Sequence, residues 1–206
     1  MLWLIGIVMM DTHQCLENSM FNAKTINDFL SKEDCEYLIN VAIDSNLWEG
    51  AGSDFWDNRV INYNRIITFD KKAASIMLDA NLRCKQSIKE KYNLINEVYS
   101  DTLQIVRWFP EMEQGPHADD MSNTDIKGFD HRAFGSIIYL NNDYLGGSTY
   151  YPNFNIEIIP EIGKLAIHPG DEEHLHGVKK IKNKTRYTIA SFWTTRREKS
   201  NDWSAY

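Results

Sequence analysis

The chain has 206 residues, 43% of them hydrophobic and 25% charged, with a formal charge of −7. That length accommodates one domain with a substantial core, and the ordinary composition excludes disorder on a large scale. The negative balance excludes a broad electrostatic footprint for nucleic acid, which needs clustered Lys and Arg. Met1 to Met10 is apolar but too short to span a bilayer, and it lacks the basic and small-residue flanks of a targeting signal. It reads as a buried or edge strand, or as a poorly packed extension. Cys15, Cys35 and Cys84 are odd in number and widely spaced, so they form no disulfide framework or zinc knuckle and point to a reducing, cytoplasmic setting.

Thr25 to Leu30 reads as a short strand leading into a helix. Ser31 is a good N-cap, Glu33 and Asp34 suit the positive end of the helix dipole, and Cys35, Leu38, Ile39, Ala42 and Ile43 mark one buried face. Leu47 to Asn58 is a loop whose Trp48 and Trp56 cover the core or line a cleft. Arg59 to Thr68 alternates as a strand does. Lys71 to Tyr92 has no Gly or Pro and carries apolar residues at Ala73, Met77, Ala80, Cys84 and Ile88, which predicts a long amphipathic helix against a sheet.

From Tyr99 the texture changes to short strands between turns, and the aromatic content of 12% suits a strand-rich core. The predicted strands are Thr102 to Phe109, Ala133 to Asn141, Ser148 to Tyr151, Ile156 to Ile159, Lys164 to His168, His176 to Lys180 and Tyr187 to Thr194. Met112 to Arg132 reads as a mobile loop, and the basic run Lys179 to Arg186 as a solvated turn with Arg186 pointing inward. So many strands at this spacing imply two packed sheets. The expected fold is mainly β with supporting N-terminal helices and a jelly-roll core. Residues 1–206 then form one domain: supporting elements over 1–98, the core over 99–195 and a tail over 196–206.

Side chains two apart on extended backbone share a face, so His117 and Asp119 can aim at one point. An imidazole from a distant strand would complete a two-histidine, one-carboxylate set with open positions, the donor pattern of non-haem Fe(II) oxygenases. His168, His174 and His176 all compete for that role on residue type alone. His13 and His131 read as surface or loop residues.

The order of features is more specific than any one of them: His117-Ala118-Asp119, then Tyr139-Leu140-Asn141, then Gly146-Gly147-Ser148-Thr149, then His176, then Arg186 ten residues on. In this, residues 104–193 resemble the double-stranded β-helix core of the prolyl 4-hydroxylase-like branch of the Fe(II)/2-oxoglutarate dioxygenases. The resemblance implies His117, Asp119 and His176 as metal ligands and catalytic centre, and Fe(II), 2-oxoglutarate and O2 as cofactors, with ascorbate admitted as an auxiliary. It implies Arg186 and Tyr139 at the distal carboxylate of 2-oxoglutarate, with Trp108 and Thr149 as further cosubstrate contacts. His174 is then placed at the strand entrance and His168 at its turn. Trp108 and Gln114 stand where the family commonly has tyrosines, and Trp193 falls one residue late after Arg186, which predicts a shifted or bulged last strand.

The implied reaction hydroxylates a C–H bond, with succinate and CO2 as co-products. The implied substrate is a prolyl residue of a peptide or protein partner, with no nucleic acid and no membrane involved. Two other readings stand beside it: a hydroxylase of a small molecule such as a free amino acid, and a non-catalytic jelly-roll binding module.

Overall fold

The structure, a computed structural model, describes residues 21–50, 53–122, 128–201 and Trp203. The Met1 to Met10 run, His13 and Cys15 lie outside these. The chain opens with β1 (Lys24–Ile26) and α1 (Lys32–Asp44), followed by β2 (Val60–Asn62), α2 (Tyr63–Phe69) and α3 (Lys71–Lys91). The strands that follow are β3 (Tyr99–Trp108), β4 (Gln114–His117), β5 (Phe134–Tyr139), β6 (Leu145–Gly146), β7 (Thr149–Tyr151) and β8 (Ile156–Ile158). The last four are β9 (Leu165–Pro169), β10 (His176–Val178), β11 (Ile181–Lys182) and β12 (Arg186–Thr194).

A six-stranded sheet runs β1-β9-β5-β12-β3-β2 and a four-stranded sheet runs β4-β10-β7-β8, every pairing antiparallel. This is the expected double-sheet core with helices to one side. Alternation along each strand of the large sheet sorts its side chains between two faces. Leu103, Ile105, Ile138, Leu165, Ile167, Ile189 and Trp193 join Leu38, Met77, Ala80, Cys84 and Ile88 of the helices in the main hydrophobic cluster. The residues between them, including Trp108, Gly135, Tyr139, His168 and Arg186, turn toward the small sheet. The site is built on that inner face.

Local signals explain the helices. Ser31 Oγ accepts from the Asp34 N–H and Asp70 caps α3 by accepting from the Ala73 N–H, each cap contributing about 1 kcal/mol. In α1 the buried side chains are Cys35, Leu38, Val41 and Ala42, while Ile43 is exposed, so the apolar stripe is rotated from the expected one.

Two expectations are corrected and a third is narrowed. Arg59 to Thr68 is not one strand: it turns after Asn62 into α2, because Tyr63 and Ile66 are both buried in a helical i, i+3 relation. The predicted loop from Met112 begins with β4, an edge strand of the small sheet, where Pro116 costs no ladder bond. His131 lies in a turn, one of its two expected settings, but not on the open surface: its side chain pairs with Asp101 at 2.8 Å alongside Arg132. The late Trp193 has its counterpart on the neighbouring strand: Phe192 pairs with Thr102 but Trp193 with Ser100, so the extra residue is Asp101 of β3.

Candidate active site

His117 and His176 face each other across the β4–β10 pair. Their ring centroids are 4.5 Å apart. Asp119 follows two residues after His117, where the Asp120 N–H donates to the Gly170 carbonyl and holds the turn. The donor atoms of His117, Asp119 and His176 all lie within 4.8 Å of one another. His176 Nε2 is 3.7 Å from Asp119 Oδ1.

Backbone carbonyls set both tautomers. His117 Nδ1 donates to the Gly115 carbonyl at 3.1 Å, and His176 Nδ1 to the His174 carbonyl at 3.2 Å. A carbonyl only accepts, so each Nδ1 carries a proton, and in the neutral ring it is Nε2 that holds the lone pair a metal needs. Burial, then the neighbouring His168 and His117, drives the His176 pKa well below the usual imidazole value. The ring is therefore neutral without competition from a proton at ordinary pH.

Two orphaned charges test whether a bound group fits here. Asp119 is 3% exposed, and its Oδ2 has no hydrogen-bond partner among the described residues. Arg186 is 1% exposed, with Nε and Nη2 unpaired and no carboxylate beside it among the described residues. Buried polar atoms are ordinarily satisfied. A divalent cation among two imidazoles and a carboxylate would offset the buried charge of Asp119, and an anion would answer Arg186. The donor set fits the implied metal.

Arg186 sits directly across from Trp108 in the β12–β3 register. Its guanidinium carbon is 5.2 Å from the Tyr139 ring centroid and 5.5 Å from that of Trp108. The Tyr139 hydroxyl shares a 2.7 Å hydrogen bond with Thr149 Oγ1. Burial raises the Tyr139 pKa, and Arg186 and Thr149 oppose the rise. The structure thus brings together Arg186, Tyr139, Trp108 and Thr149 at one end of the inner face, and His117, Asp119 and His176 at the other.

Buried Tyr151 lies between the two ends. It packs in one cluster with Tyr139, its ring is 5.9 Å from that of His176, and its hydroxyl has no partner among the described residues. Burial pushes its pKa well above the usual phenol value, with the charges of Tyr139 and Asp119 adding to the rise.

Sequence reasoning missed three residues. Tyr144 is buried beside Arg186; burial pushes its pKa up to about 12 and Arg186 opposes the rise. The Gly146-Gly147 turn makes room for it, since a Cβ on Gly147 would lie 2.7 Å from the Tyr144 ring and 3.2 Å from Arg186 Cδ. Arg59 is the second. Its guanidinium stacks on Phe55, Trp56 and Trp108 at 4.5, 4.4 and 4.1 Å, and it donates to the carbonyls of Phe55 and Arg107. Burial, then Arg186, lowers its pKa to about 10. The third is Tyr151, hidden inside an aromatic pair.

Trp48 and Trp56 separate. Trp48 packs on the main core with Arg107 3.9 Å over its ring, whereas Trp56 packs on Trp108 at the arginine end. Buried His174 points elsewhere, pairing with Asp171 at 2.7 Å and packing on Phe154. His168 donates from Nδ1 to the Pro169 carbonyl at 3.1 Å and is 1% exposed.

No family model matches the chain. In sequence it is 25% identical over 140 residues to "Prolyl 4-hydroxylase 1" of Arabidopsis thaliana, covering 62% of this chain and 45% of that protein. It is 31% identical over 74 residues to a "Putative prolyl 4-hydroxylase" of Acanthamoeba polyphaga mimivirus, covering 33% of this chain and 31% of that one. The matches thus span less than half the length of these curated relatives. In structure it is similar to a viral collagen prolyl hydroxylase from Paramecium Bursaria Chlorella virus-1, solved as a 2OG complex (TM-score 0.65, 18% identity, covering 87% of this chain and 98% of that one). It is also similar to a Trichoplax adhaerens prolyl hydroxylase, solved with a peptide fragment of hypoxia inducible factor (TM-score 0.66, 18% identity, covering 91% and 93%).

Proposed function

We propose that this chain, a relative in sequence of the prolyl 4-hydroxylases with the fold of the Fe(II)/2-oxoglutarate oxygenases, is an Fe(II)- and 2-oxoglutarate-dependent dioxygenase that hydroxylates a prolyl residue of a peptide or protein. One observation carries the reading: two buried sites of opposite need share one inner face, a cluster of metal donors at one end and, at the other, a guanidinium with no carboxylate beside it and two nitrogens unpaired among the described residues.

In this reading His117, Asp119 and His176 would hold the metal through the Nε2 lone pairs of two imidazoles and a carboxylate oxygen. Bound metal and cosubstrate together supply O2 activation and C–H hydroxylation, with succinate and CO2 as co-products. Arg186 pairs with the distal carboxylate of the cosubstrate, a task that suits a fork of donors better than a point charge. Tyr139 and Thr149 flank that carboxylate, with the Tyr139 hydroxyl as donor. Trp108 takes the place of a hydrogen-bonding tyrosine as a flat wall under the guanidinium. Because Asp119 supplies a carboxylate and not an open position, hydroxylation is favoured over halogenation.

The prolyl substrate rests on the relatives' names. Adding Fe(II) and 2-oxoglutarate without oxygen should give a visible charge-transfer band in the wild-type protein. Proline-containing peptides, supplied with O2, should then gain the mass of one oxygen in step with succinate release. A free amino acid gaining that mass while peptides do not would make this a small-molecule hydroxylase. Absence of the band would leave the binding-module reading.

A further inference from the structure

The metal end contains one more imidazole than the proposed ligand set uses. His168 lies on β9 at the register position opposite Gly135 of β5. Its ring centroid is 4.1 Å from that of His176 and 5.8 Å from that of Tyr151. Its nitrogens fall outside the group of donor atoms gathered within 4.8 Å, so it is not a fourth member of that cluster.

Asp119 distinguishes its two oxygens. Oδ1 faces His176 Nε2 at 3.7 Å, on the side of the other donors. Oδ2 faces His168 Nδ1 at 3.8 Å and is the buried acceptor without a partner among the described residues. The tautomer of His168 follows from what surrounds Nδ1. Both neighbours, the Pro169 carbonyl at 3.1 Å and the Asp119 carboxylate, are acceptors, so Nδ1 must carry the proton and points it between them.

Simple packing does not account for this residue. An apolar side chain would fill the same place against Tyr151 and His176 without the cost of burying imidazole nitrogens. The neighbouring strand has given up a side chain to keep the pair: a Cβ on Gly135 would run into Asp119 Oδ2 and lie 2.6 and 2.7 Å from Cε1 and Nε2 of His168.

Resting on the ligand reading above, we infer that His168 is a positioning residue for Asp119. Its Nδ1–H, bonded to the Pro169 carbonyl, stands 3.8 Å from the carboxylate oxygen turned away from the other donors, and the attraction between that dipole and the oxygen sets the direction in which the other oxygen is presented. Metal ligands are commonly oriented by such a partner, and removing it costs about 10- to 100-fold in metal affinity.

The test compares His168→Asn with His168→Leu, two side chains of nearly equal shape, of which only Asn places an N–H where Nδ1 was. Co(II) serves as the probe, with its visible ligand-field bands and dissociation constant measured on the protein without cosubstrate and the thermal midpoint measured without metal. His168→Leu should bind Co(II) about 10- to 100-fold more weakly, with altered bands, and His168→Asn should stay close to wild type. The metal-free midpoints report folding separately, and His168→Leu should be no less stable than His168→Asn, so that weaker metal binding by the Leu variant cannot be ascribed to a poorer fold. Equal Co(II) affinity and bands in the two variants would overturn the inference. His168→Phe restores the ring volume if the smaller residues leave too large a cavity; wild-type binding by that variant overturns the inference as well. Wild-type protein that shows no Co(II) bands would sink the ligand assignment itself, an outcome distinct from any difference between variants.

Discussion

The two ends of the inner face fail in opposite ways when considered as protein alone. At one end a buried carboxylate sits among imidazoles, with no Lys or Arg paired to it among the described residues. At the other, two buried guanidiniums lie against aromatic rings, with no carboxylate paired to either among the described residues. Burying a charge without its partner is among the costliest things a fold can do. Two such burials of opposite sign, kept apart by Tyr139 and Tyr151, would suit a divalent cation at one end and, in the proposed reading, a dianionic cosubstrate anchored at the other. With Asp119 and Arg186, the charges of that pair cancel. Arg59 is left over, and the difference from Arg186 is one of degree: Arg59 is held by two carbonyls and three rings with only Nη2 unpaired, whereas Arg186 has both Nε and Nη2 unpaired among the described residues.

The comparison breaks hardest at Asp119. Replacing it with Ala removes a ligand outright, so the loss of metal affinity should exceed the roughly 100-fold ceiling for an orienting neighbour. The metal-free fold should survive, since a buried unpaired carboxylate contributes nothing that a methyl cannot replace. Co(II) titration and circular dichroism check both halves, and retained metal binding would refute the assignment. Arg186→Met asks the same question at the other end and should split function from stability. The apparent 2-oxoglutarate requirement should rise by roughly 30-fold or more, as when one partner of a buried charge pair is lost. The ligand-free protein should become more stable, by about 1–2 kcal/mol, because an unpaired buried charge gives way to an apolar chain. A thermal midpoint that falls sharply would show that Arg186 has a structural partner.

Tyr139→Phe sharpens the picture on a finer scale. It removes the hydroxyl bonded to Thr149 while keeping the ring beside Arg186. A hydrogen bond to a charged group is worth about 1.5–3 kcal/mol, less the Thr149 bond the hydroxyl gives up to make it, so the 2-oxoglutarate requirement should rise by roughly tenfold, below the Arg186 effect. A change as large as that of Arg186→Met would mean that the hydroxyl, and not the guanidinium, is the main anchor.

How much of this was readable in advance follows from which residues were neighbours in sequence and which became so through strand pairing. The His117 and Asp119 pair is local, and Arg186 opens a strongly apolar strand, so both stood out. The β-rich core was legible for the same reason, since alternation is a local property. Arg59 was not legible, because the rings it stacks on, Phe55, Trp56 and Trp108, reach it through a loop turn and the β2–β3 pairing, which no local pattern encodes. β4 hid behind a Gly and a Pro that usually mark loops and that an edge strand tolerates. His168 was visible as a turn-adjacent residue, but its place beside Asp119 comes from the β9–β5 register, which no periodicity encodes.

A surface charge offers the control against which the buried ones should be judged. Glu97 pairs with Lys85 at 2.9 Å and also with Lys89, both on the last turns of α3. These hydrogen bonds lower its pKa from 4.5 to about 2. The folded state therefore holds this carboxylate ionised more firmly than the unfolded chain does. The resulting stability is complete above about pH 4.5 and disappears as the pH falls toward 2. Glu97→Gln should lower the thermal midpoint slightly at neutral pH, and the gap from wild type should close across that acid window. Because the group is exposed, added salt should shrink the same gap. The stability gain expected of Arg186→Met should resist salt, since that guanidinium is out of contact with the solution. If salt erased both differences alike, the arginine would not be sealed inside the protein, and the contrast between its two ends would lose its basis.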